Sequence, residues 1–125
     1  VTSMTGEMIK TILEDVGDNL FNPDPYYQQG GDMVRVGGLQ FSCDPTAPMG
    51  QRIGDMRLKG KLIDPTKPYK VAGWAPVAES AREQKLPMVW DVVAQWLRAQ
   101  GGRIQPRQLQ SPRITGGLPN PGVVS

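Results

Sequence analysis

A fixed cation, a carboxylate, a thioether and a run of flat rings gather in one short stretch, and together they describe recognition of a ligand. Arg35 is a permanent planar cation suited to an oxyanion, and Asp32 and Met33 precede it in Gly30-Gly31-Asp32-Met33-Val34-Arg35-Val36-Gly37-Gly38. Tyr26, Tyr27 and Gln28 lie just upstream, and Trp74 adds a ring where a predicted strand gives way to a loop. The glycine pairs either mark a bulged, half-buried strand or let a ligand approach, and the pattern admits both readings. Trp74 likewise reads as a ligand contact or as a core-edge ring with its nitrogen at the surface.

Cleavage chemistry is harder to find. The chain has no histidine, so it lacks the commonest general base and the usual ligand of zinc, manganese or iron. No P-loop, dinucleotide fingerprint, nucleophile elbow or cysteine-rich metal spacing occurs. Aspartates and glutamates are scattered among turns and helix faces, and no pair is poised for acid and base work. The single cysteine, Cys43, cannot form an internal disulfide and reads as a small core residue. Such a chain suits binding a substrate for chemistry performed elsewhere.

These residues must be positioned by a compact α+β fold, a mostly antiparallel sheet with two main helices. At 125 residues the chain is expected to form one domain over 1–102, followed by an irregular tail over 103–125. Its net charge of +2 comes from dispersed Lys and Arg, which argues against nucleic acid, and no apolar run is long enough to span a membrane.

Met8, Ile9, Ile12, Leu13, Val16 and Leu20 recur at helical spacing, with Thr5 placed to cap and Asn22-Pro23-Asp24-Pro25 to terminate. Residues 1–4 hold no full element, so the chain is expected to open just before this helix, as an excised domain would. Val34, Val36, Leu39 and Phe41 alternate with polar residues as one strand would, and Asp44-Pro45-Thr46-Ala47-Pro48-Met49-Gly50 turns it. A hairpin around Gly60-Lys61 and a fourth strand over Tyr69-Lys70-Val71-Ala72 follow. Residues 79–85 read as a short helix or a solvated loop. Pro87 opens a second helix whose stripe of Met88, Val89, Val92, Val93, Trp96 and Leu97 is expected to cover the sheet, with Gly101-Gly102 ending it. Beyond it, Arg103, Arg107 and Arg113 are either solvated or grip an anionic surface.

These motifs resemble those of the C-terminal domain of the 5'-nucleotidase superfamily. The resemblance rests on Thr5-Gly6, on Gly31 through Gly38, on Pro48-Met49-Gly50-Gln51-Arg52 and on Tyr69-Lys70-Val71. A more specific likeness is to the SoxB thiosulfohydrolases of bacterial sulfur oxidation. It is carried by Leu13-Glu14-Asp15, the run from Asp18 to Arg35 and the Asn120-Pro121-Gly122 ending.

The resemblance implies a periplasmic enzyme whose N-terminal metallophosphoesterase domain holds two manganese ions, with no cofactor in this chain. It further implies a SoxYZ carrier protein as partner, its cysteine bearing the sulfur group that is hydrolysed to sulfate. By the same resemblance Asp32, Met33, Arg35 and Trp74 line the cleft, with Tyr26, Tyr27 and Gln28 at its entrance. Nucleotidases of the superfamily sandwich a base between two aromatics. Here Met33 replaces the first, Trp74 keeps the second, and Ala75-Pro76-Val77-Ala78-Glu79 replaces their Asn-Gly-Gly-Asp-Gly type of motif. Both departures favour a sulfur substrate. A nucleotidase domain, or a stand-alone domain that only docks a carrier, are the alternatives.

Overall fold

The computed structural model describes residues 1–73, 87–105 and 110–116. Trp74, the 79–85 segment, Arg107 and the Asn120-Pro121-Gly122 ending lie outside them. Over the described residues two compact units form, one from Val1–Met4 and Tyr69–Leu109, the other from Thr5–Pro68 and Gln110–Ser125.

In the larger unit, helix α1 (Gly6–Phe21) is capped as its sequence requires, Met8 N–H donating to the Thr5 hydroxyl at 3.2 Å. Two further amides of its first turn are satisfied from outside the helix: Gly6 N–H donates to Lys67 O and Glu7 N–H to Pro65 O. The loop supplying those carbonyls lies so close that a Cβ on Gly6 would overlap Asp64 O and the Ile63 side chain, which explains the Thr-Gly start. Leu13 is buried and Ile9 packs on the same core, but Met8 is exposed.

The main sheet has the order β4-β3-β2-β6. Strands β2 (Leu39–Cys43) and β3 (Ile53–Leu58) pair antiparallel, and β3 pairs antiparallel with β4 (Lys61–Leu62). Phe41, Cys43, Ile53 and Met56 join Leu13 in the buried core. The expected long strand is shorter. It starts at Leu39, and the stretch 31–36 has no ladder partner and no regular structure. Gly37-Gly38 therefore lies at the strand's start, and the register irregularity falls between Gln40 and Ser42. The hairpin turn is Lys59-Gly60, one residue earlier than expected. Both have positive φ, 52° and 79°, the twist a two-residue hairpin needs.

The tail was expected to lack regular structure, but Arg113–Ile114 forms β6. This strand runs parallel to β2, with Ser42 opposite Arg113 and Cys43 opposite Ile114. A two-residue strand has no periodicity to announce it; what makes it is the free edge of β2, far away in the sequence.

In the smaller unit, β5 (Pro68–Val71) does not join the main sheet. It pairs with a strand the sequence does not suggest, β1 (Thr2–Thr5). Helix α2 (Val89–Ala99) begins two residues after Pro87. It ends in a Schellman motif: Gly101 N–H donates to Arg98 O and Gly102 N–H to Leu97 O, with both glycines at positive φ. Its apolar stripe does not form core. Met88, Val89, Val92, Val93 and Trp96 are all exposed, because amphipathic spacing fixes which side is apolar but not what covers it.

Candidate functional site

The residues singled out for recognition lie on one loop of the larger unit, between α1 and β2. Asn22 ends α1, its N–H donating to Asp18 O at 3.0 Å and its side-chain amide to Asp18 Oδ2 at 2.7 Å. The Asn22 Oδ1 accepts from Asp24 N–H at 3.0 Å, and Asp24 Oδ1 accepts from Tyr26 N–H at 2.9 Å. That cap starts a single 3-10 turn, Pro25–Tyr27, with proline in its first turn where a missing N–H is harmless.

Tyr26 is 86% exposed and Tyr27 57%, with their rings edge to face at a centroid distance of 5.5 Å. Gln28 folds back, its Nε2 donating to Asn22 O at 2.7 Å, and Gly30 N–H donates to Asn19 O at 3.2 Å.

Past the left-handed Gly30 and Gly31, Met33 and Val36 turn inward onto the core, while Asp32, Val34 and Arg35 face out. The alternation read from the sequence would have put Val34 and Val36 on one face. Without a ladder nothing enforces a period of two, and the spacing of inward residues becomes three. Arg35 makes no ion pair or hydrogen bond with any described residue, so its charge is available to a ligand. Met33 is half-buried and acts partly as an anchor. The structure thus brings together Tyr26, Tyr27, Gln28, Asp32, Met33 and Arg35 on one loop; Trp74 lies outside the described residues.

The sequence did not disclose the buried polar cluster between α1 and the start of β3. Glu14, 4% exposed, accepts four hydrogen bonds: Lys10 Nζ at 2.7 Å and Ile53 N–H at 2.8 Å on Oε1, Gly50 N–H at 2.9 Å and Arg52 N–H at 3.3 Å on Oε2. Burial pushes its carboxyl up, but the Lys10 hydrogen bond, the amides of Ile53 and Gly50 and the Lys10 charge outweigh it and hold the group below its usual value. Arg52, 3% exposed, donates from Nη1 to Asp18 Oδ1 at 2.6 Å and from Nη2 to Phe21 O at 3.2 Å. The Arg52 and Asn22 hydrogen bonds lower the Asp18 carboxyl. A glutamate and an aspartate four apart on α1, with Arg52 in the turn motif, were the available signal, but only their partners reveal the role.

Other carboxylates serve turns. Asp44 and Asp64, each in an Asp-Pro-Thr sequence, accept from both the N–H and the hydroxyl of the threonine two residues on, and both are lowered by those bonds. Cys43 is buried, and burial followed by the Glu14 and Asp44 charges pushes its thiol up. Among the described residues no three His, Cys, Asp or Glu side chains could hold a metal ion. No described helix is long and apolar enough to cross a membrane. The arrangement can bind and orient; the described residues assemble no catalytic site.

The solved structure of the Thermus thermophilus sulfate thiohydrolase SoxB, in complex with glycerol, is similar to this chain, with 35% identity and a TM-score of 0.76. The match covers 93% of this chain and 22% of that one, so the chain spans about a fifth of the longer protein. No curated protein matches. The family model of the 5'-nucleotidase C-terminal domain matches residues 1–91, the stretch holding α1, the loop between α1 and β2, and strands β1 to β5. With an α+β architecture of antiparallel-dominated sheets and two helices, the chain belongs to the 5'-nucleotidase C-terminal domain family.

Proposed function

We propose that this chain is the substrate-binding C-terminal domain of a SoxB-like thiosulfohydrolase acting in the periplasm. The observation that carries the reading is the 35% identity to a sulfate thiohydrolase over 93% of the chain. The substrate is a cysteine S-thiosulfonate on the SoxYZ carrier. Water adds to the sulfonate sulfur, the adjoining S–S bond breaks, sulfate leaves, and the carrier keeps the remaining sulfur as a persulfide. Two manganese ions in an N-terminal metallophosphoesterase domain supply the activated water.

This chain supplies recognition. The guanidinium of Arg35, which has no partner among the described residues, offers two parallel donors to the sulfonate oxygens. Tyr26 and Tyr27 present apolar surface to the carrier's arm at the entrance, beside Gln28. Asp32, Met33 and Trp74 complete the cleft, Met33 standing where a nucleotidase would stack a base.

A second reading is a nucleotidase, which the family match favours. The test is to give the full-length protein S-thiosulfonated SoxYZ and, separately, AMP. Sulfate release without phosphate release supports the proposal, and phosphate release alone supports a nucleotidase. Carrier binding with no turnover of either would make the chain a docking domain.

A further inference from the structure

The exposed tyrosines are connected to the protein interior by an unbroken line of hydrogen bonds. It starts at Arg52, whose Nη1 and Nη2 hold Asp18 and Phe21 O. Asp18 accepts the Asn22 side chain, Asn22 accepts Asp24 N–H, and Asp24 accepts Tyr26 N–H. Gln28 closes the loop onto Asn22 O from the other side.

Two features suggest that this line does more than tie a helix to a strand. Every residue from Pro23 to Asp32 is exposed, so apolar packing contributes little to fixing the tyrosines. Arg52 Nε is buried without a partner among the described residues, an unsatisfied donor that a purely structural site would be expected to avoid.

We infer that Arg52, acting through Asp18 and Asn22, is a positioning residue that sets where Tyr26 and Tyr27 stand. The functional half of this inference rests on the reading that the tyrosine pair meets the carrier. Without the line, the 3-10 turn samples many orientations, and carrier binding must order it each time.

Arg52→Ala would empty the buried guanidinium site and leave the half-buried Asp18 without its cation, which could unfold the domain, so the test uses Asn22→Ala and Arg52→Lys in the full-length protein. Amide exchange over 23–30 is followed by mass spectrometry, and turnover is measured with S-thiosulfonated SoxYZ. Asn22→Ala removes both hydrogen bonds of its side chain and is expected to speed exchange and raise KM by about tenfold each, with kcat little changed. Arg52→Lys keeps a donor for Asp18 and gives a smaller effect.

When Tyr26 and Tyr27 are both replaced by alanine, adding Asn22→Ala should raise KM no further, whereas an independent structural role would give additive losses. Unchanged exchange in Asn22→Ala overturns the line itself. Faster exchange with unchanged KM, where the tyrosine variant does raise KM, overturns the positioning role. If the tyrosine variant leaves KM unchanged while exchange rises in Asn22→Ala, the coupling stands and the substrate reading is what falls.

Discussion

Replacing Glu14 by glutamine tests whether one buried carboxylate organises the start of β3. The change is nearly isosteric, so the transfer and cavity contributions are small and hydrogen bonding decides the outcome. In the native site both oxygens accept twice, from Lys10 Nζ and Ile53 N–H on one and from Gly50 and Arg52 N–H on the other. An amide keeps one oxygen, and its NH2 must face two donors whichever way it is turned. Two partners therefore lose their acceptor, at roughly 1 to 3 kcal/mol for each that water cannot reach. Gly50 is exposed and Lys10 partly so, which favours the lower half of the range and gives an expected loss of about 2 to 4 kcal/mol.

For a chain of this length that loss lowers the midpoint of thermal unfolding by roughly 8 to 15 °C, readable by circular dichroism. The pH dependence supplies an independent check. The folded Glu14 carboxyl titrates below its ordinary value of 4.5, so its stabilisation is fully present above that pH and is lost as pH falls through the folded value. The stability gap between wild type and Glu14→Gln should therefore narrow below about pH 4.5, while the lowered aspartates, present in both proteins, largely cancel. A glutamine variant within about 0.5 kcal/mol of wild type at pH 7, or a gap that widens on acidification, would refute the account.

Arg35→Ala in the full-length protein should reduce kcat/KM for the proposed carrier substrate by about tenfold or more while moving the unfolding midpoint little, since the side chain is exposed and has no partner among the described residues; unchanged kinetics would remove it from the site. Gly6→Ala forces a methyl into Asp64 O and Ile63, and should cost about 1 to 3 kcal/mol in denaturant unfolding despite alanine's better helix propensity. Gly60→Ala places a Cβ at φ 79° in the β3–β4 turn and should destabilise by about 1 kcal/mol, with no change in carrier affinity. Cys43, buried and with its thiol pushed up first by desolvation, should react with a thiol reagent only as fast as the domain opens. Fast labelling under native conditions would contradict its place in the core.

Features governed by neighbours in sequence were legible in advance. Thr5 at a helix start, Asn22-Pro23 at its end, the double glycine after α2 and the two Asp-Pro-Thr turns each use groups within a few residues of one another. Their chemistry is written locally. Recognising the family needed only Thr5-Gly6, the stretch from Gly31 to Gly38, the Pro48–Arg52 turn and Tyr69-Lys70-Val71.

What the sequence could not decide was anything whose partner is distant. The acceptor for Ile53 N–H is 39 residues away, the strand beside β2 comes from Arg113–Ile114, and β5 finds β1 instead of the main sheet. Val34 and Val36 look equivalent in the sequence. Only the missing ladder sends one to solvent and the other to the core. Side-chain type and spacing specify which groups are apolar or hydrogen-bonding, whereas burial and pairing are properties of the folded chain, set by whichever surfaces and donors tertiary contact brings within reach.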